Sequence, residues 1–236
     1  MMNDRSLPAN REAPGWLVSA FLICVLISVA TVIRRLLALA YPSQSGPPQM
    51  LALDAVFASR TTLTLAHIVP ALIFVLLTPF VLLRRDGRSV WFHAALFPLG
   101  AIVGVTAYAM SVHAVGGWIE RSAVLLFNSL FLYSLIRAYG YWRVGDLVIE
   151  RRWLTRAIGI LLGIATTRPV MGVFFATSSL THLSPAQFFG IAFWIGFSIN
   201  TVSVELWLAF SSSGTTKFRN DSTIGIIGQD PGNVKG

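Results

Sequence analysis

The chain has 236 residues, 55% of them apolar and only 12% charged, with a formal net charge of +8. A soluble domain carries roughly 25% charged residues to face water, so this composition, with a mean hydropathy of +0.69, excludes a water-soluble globule. The positive balance does not indicate a nucleic-acid partner: the 18 Lys and Arg lie between apolar runs and form no basic domain, as in membrane chains whose basic residues gather in cytoplasmic loops.

In chain order, residues 1–15 form a polar N-terminal segment, and the first apolar run extends from Trp16 to Ile33 before Arg34 and Arg35. Ala38-Leu39-Ala40 resembles a signal-peptidase site. Two arginines ahead of that site are foreign to a signal, and the apolar run already suffices to span, so the first helix is expected to stay uncleaved. Tyr41 to Met50 reads as a Pro/Gly/Ser loop, and Leu51 to Arg60 as a short surface helix. Further spans are expected at about 62–83, 91–112, 122–138, 155–176 and 185–210, after a first at about 16–38. Residues 211–236 read as a flexible cytoplasmic tail. The expected fold is therefore all-α: a polytopic membrane bundle of about six transmembrane helices. Cys24 is the single cysteine, which excludes an intrachain disulfide.

Orientation follows from the basic residues. With a cytoplasmic N-terminus, Arg5, Arg11, Arg84, Arg85, Arg88, Arg137, Arg143, Arg151, Arg152, Arg156, Lys217, Arg219 and Lys235 fall inside. Arg34, Arg35, Arg60 and Arg121 fall outside, and Arg168 lies within a span. This bias places both termini in the cytoplasm.

A charge near the bilayer centre costs about 2.5–3.5 kcal/mol on insertion scales, so each such group needs a reason. Arg168 is expected roughly 20 Å from the cytoplasmic end of the fifth span, and Glu205 roughly 8 Å from that of the sixth. His67, Tyr108, Asn128 and Arg168 fall in the outer half, Asn200 lies mid-span, and His113 and His182 stand at the outer boundary. Two readings of Arg168 are open. It bonds Asn200 and backbone carbonyls as scaffolding, or it is the fixed cation of an outward-facing cavity in which His67 titrates or binds metal. The ligand of such a cavity would be an anion or quinone. His67 and His113 together meet the requirement for axial haem b ligands, but His93 is the lone inner histidine, too few for an electron path across the membrane. No phosphate-binding loop, dinucleotide fingerprint or zinc-protease motif occurs. Trp91, Trp118, Trp153 and Trp207 lie near expected helix ends, where indoles anchor in the interface.

Several of these positions form a pattern. A span opens with Leu65-Ala66-His67-Ile68-Val69-Pro70, and a basic turn from Arg88 leads to His93. Glu150-Arg151-Arg152-Trp153-Leu154-Thr155-Arg156 precedes Arg168, and the last span carries Trp194, Asn200 and Glu205. From about His67 to Leu208 the chain resembles the bacterial predicted membrane proteins grouped as domain of unknown function 2306. Glu150 stands where that family's motif has histidine. The resemblance implies a multi-pass protein of a bacterial cytoplasmic membrane and carries no activity.

The functional expectation is a non-enzymatic handler of a small molecule or ion, with His67, Arg168, Asn200 and Glu205 as ligand-binding residues and the lipid bilayer as partner. The alternative is a haem- or quinone-linked oxidoreductase using His67 and His113.

Overall fold

The computed structural model describes residues 14–42, 45, 48–83, 90–177, 180 and 184–227, with no strand among them. Helix α1 spans Gly15–Ala40, α2 Pro48–Ala58, α3 Thr61–Leu83, α4 Val90–Ser111, α5 Gly117–Arg143, α6 Leu147–Leu161, α7 Gly163–Ala176 and α8 Pro185–Ile227. Six stretches are long and apolar enough to cross a membrane: α1, α3, α4, α5, α6 with α7, and Gln187–Ser211 of α8. The chain is the all-α polytopic bundle that its composition demands.

Element ends differ from the sequence reading at three places. Helix α5 is longer than the expected 122–138, and the fifth span begins at Leu147 instead of 155. Its start is built by a tight turn: Gly145 has φ 78°, a conformation glycine adopts without penalty. Asp146 then accepts a bond from the N–H of Ile149 at 3.1 Å, an N-cap. Arg151, Arg152 and Arg156 disguise this first part of the helix as loop. The backbone of α8 stays helical to Ile227, past the expected start of the tail at 211. No proline follows Pro185 until Pro231, and extending a formed helix is cheap. The expected basic turn at 84–88, the N-terminal arginines, His182 and residues 228–236 lie outside the described residues.

Helices α1, α3, α4, α5, α8 and α7 follow one another round a ring, each touching the next, with α7 returning to α1. Helix α6 packs against α5, α8 and α3, and its Leu154, Ala157 and Ile158 are fully buried. It fills the axis of the bundle over one half of its height. At Leu162 the helix breaks: the Ala165 N–H bonds the Leu162 carbonyl three residues back instead of four. Beyond this 3₁₀-type turn, α7 joins the ring wall and the axis is left open.

Two pairs of glycines four residues apart allow close approach. A Cβ on Gly100 would lie 2.7 Å from Leu135 Cδ2, and one on Gly104 would collide with Leu132, so α4 sits tight on α5. A Cβ on Gly163 would lie 2.6 Å from Phe197 Cδ1, and one on Gly159 would collide with Val204, so the fifth span sits equally tight on α8. Small residues of this spacing let membrane helices gain dispersion contacts where no hydrophobic effect drives them together.

Polar bonds mark the two ends. At the end holding the α5–α6 turn, His93 Nδ1 meets Glu150 Oε1 at 3.0 Å, with Glu150 only 2% exposed. There too Arg151 donates to the Leu82 carbonyl, and Arg156 forms a two-bond pair with Glu205 at 2.6 and 3.1 Å. The Trp153 ring meets the guanidinium groups of both Arg137 and Arg156. At the opposite end, Asp54 of α2 pairs with both Arg34 and Arg35 of α1. The arginines that dissent from the charge bias therefore carry their own counter-ion.

Candidate functional site: a cavity at the open end

Where α6 gives way to α7 the ring encloses a cavity of about 260 Å³. Ile160 and Leu161 lie at its floor, and Val75, Phe131 and Phe197 are among its apolar walls. Phenyl rings form a ladder along one side: Phe127 to Phe197 at 5.4 Å, Phe197 to Phe193 at 5.8 Å, and Phe193 to Phe189 at 5.8 Å, all within 30° of parallel. The α8 members recur every four residues, which sets them on one helix face.

Helix α2 covers the rim. Its Phe57 carries the Arg35 guanidinium over the ring at 3.9 Å from the centroid, and the Phe57 carbonyl accepts a bond from Thr64 Oγ1 of α3 at 3.1 Å. Arg35, Arg60 and His113 line the cavity near this cover.

His67 projects into the cavity from α3, and its Nδ1 lies 2.9 Å from Thr106 Oγ1 of α4. The Thr106 hydroxyl has one proton, which is directed to its own helix at the Ile102 carbonyl, 2.7 Å away. In the tautomer in which that proton goes to the helix, the threonine oxygen accepts from His67 Nδ1–H and Nε2 keeps its lone pair.

Arg168 enters from α7. Its Nη1 lies 3.9 Å from Met171 Sδ, a weak acceptor, and its Nε is buried with no hydrogen-bond partner among the described residues. Glu120 of α5 also lines the cavity and stands within Coulombic reach of Arg168, but its Oε2 is engaged at 2.6 Å by the Gly116 N–H. Arg35, Arg60 and Arg168 thus line the cavity together with one carboxylate, Glu120, and Arg35 is paired outside it with Asp54. The excess is positive.

The four expected ligand-binding residues separate. His67 and Arg168 share the cavity, and His113 joins them at the rim with its side chain exposed. Asn200 does not bond Arg168. It accepts from Thr166 Oγ1 at 2.6 Å and donates to the Gly159 carbonyl at 3.2 Å, tying α8 to the fifth span. Glu205 lies near the other end in its pair with Arg156, 50% exposed. Asn128 lines the cavity while donating to the Gly104 carbonyl at 2.9 Å. The sequence reading missed Asp54, Thr106 and Glu120. Asp54 carried a signal: it is the sole acid between Glu12 and Asp86.

Of cofactor-binding side chains, His67 through Nε2 and His113 stand at one space. Among the described residues no three of His, Cys, Asp and Glu gather as metal ligands. Compared with family models, curated proteins and solved structures, the chain matches none.

Proposed function

We propose that this is a multi-pass protein of a bacterial cytoplasmic membrane that handles a small molecule or ion, without catalysing a reaction, through a pocket open to the outer face. Transport, sensing and an accessory role share this requirement. The single observation that carries the reading is Arg168, a largely buried cation lining an apolar cavity with no carboxylate in ion-pair contact among the described residues. Burying an unpaired charge is costly, and a bound anion offsets that cost. The motifs around His67, His93, Arg168, Asn200 and Glu205 support the further proposal of kinship with the domain of unknown function 2306 family.

Sidedness supplies the test. With Cys24 replaced by serine, a cysteine placed at Arg168 or His113 should react with a membrane-impermeant methanethiosulfonate added to the outer face of intact spheroplasts. A cysteine at Arg143 should react only in inverted vesicles. Labelling of position 168 only from the inner face would reverse the orientation and remove the outward pocket.

A second reading rests on the two imidazoles at one cavity: a haem b- or quinone-linked oxidoreductase held by His67 and His113. Purified protein with a Soret band that is lost in His67→Ala would support it. A colourless protein that takes up no haem on reconstitution would discard the haem form.

A further inference from the structure

We propose that the ligand of this cavity is a small aromatic carboxylate that also bears a hydroxyl group. The proposal rests on the reading of the cavity as an anion pocket and adds three requirements, each from a different wall.

The first is charge. Arg168 lines the cavity, and its guanidinium offers N–H donors and no acceptor. A carboxylate matches the planar fork of a guanidinium with two parallel N–H···O bonds, a geometry that a spherical halide cannot reproduce.

The second is a proton on the ligand. His67 Nε2 offers a lone pair when Nδ1–H is committed to Thr106. A ligand whose polar atoms are all acceptors would set oxygen against nitrogen with no hydrogen between them. A hydroxyl donating to Nε2 satisfies both.

The third is shape and size. The ladder Phe189–Phe193–Phe197–Phe127 presents flat rings, against which another ring gains offset or edge contacts beyond simple area burial. One water needs about 10–15 Å³ of such space, so a cavity of about 260 Å³ has room for a ring with its substituents.

The experiment measures equilibrium binding to the full chain in detergent with four probes: 4-hydroxybenzoate, benzoate, chloride and hydroquinone. Wild type should prefer 4-hydroxybenzoate to benzoate by about tenfold or more, since a site built to pair a hydroxyl discriminates against the analogue lacking it. His67→Phe should equalise the two carboxylates, and Arg168→Gln should weaken both at least tenfold while leaving hydroquinone unaffected. His67→Gln, whose amide can donate to Thr106, is the second variant should the phenylalanine fail to fold, and it should shrink the hydroxyl preference in the same direction. Equal affinity for the two carboxylates in wild type, or a hydroxyl preference that survives at position 67, overturns the proposal. Chloride binding as tightly as the carboxylates with the same dependence on Arg168 would keep the anion pocket and overturn this ligand class. If none of the four probes binds in an Arg168-dependent way, the anion-pocket reading fails with it.

Discussion

Arg168 poses a trade between stability and use. A guanidinium held in an apolar wall without an ion pair is expensive for the fold alone. Arg168→Met should therefore raise the thermal midpoint in detergent, by about 1–3 kcal/mol in unfolding free energy, while abolishing anion binding. A fall in stability would instead make the arginine a strut. Asn200 has the opposite character, since its two interhelical bonds are structural. Asn200→Leu should lower the midpoint by about 1 kcal/mol, in line with the modest worth of polar contacts between membrane helices, and leave binding within a factor of two or three of wild type. His67 and Arg168 were legible in the sequence because an ionisable group in an apolar run always demands an explanation. The separation of Asn200 and Glu205 from them was not, because depth along a helix says nothing about direction around it. The proton position on His67 needed the partner hydroxyl 39 residues away.

At the scale of the helices, the glycine seams make strong claims. Gly163→Ala places a methyl group 2.6 Å from the Phe197 ring and 3.0 Å from its Cα, and the second contact is backbone that cannot rotate away. Overpacking of this kind costs about 1–3 kcal/mol, read as a lower thermal midpoint. Gly172, which would meet nothing within 4 Å, should accept alanine with little change. The two acidic bonds at the basic end differ in the same way. Glu150→Ala leaves His93 short of a partner in a buried setting and should cost about 1–3 kcal/mol, whereas Glu205→Ala breaks a half-exposed pair worth about 0–1 kcal/mol. Reversal of that order in thermal unfolding would mean that Glu150 is not the tie between α4 and α6. Span number was readable from hydropathy alone. The early start of α6 was harder to see, because charged residues on an interfacial helix turn mimic a loop, although Gly145-Asp146 spells a turn followed by a cap. The break at Leu162 left a fainter trace, Gly163 directly after it, which inside an apolar run reads as easily as a small packing residue.

For the molecule as a whole, the ring of six helices with α6 set inside one half explains why one end is packed and the other hollow. Composition announced a bundle but not the order of helices round the ring, which depends on which seams close best. The break at Leu162 has a consequence for permeation. The hollow stops at Ile160 and Leu161, and below them Leu154, Ala157 and Ile158 occupy the axis. A solute that enters meets a dead end, so the protein should not behave as an open pore. Planar-bilayer recordings of the purified chain should show no unitary currents in symmetric potassium chloride, and steady ohmic conductance would mean that α6 does not plug the axis.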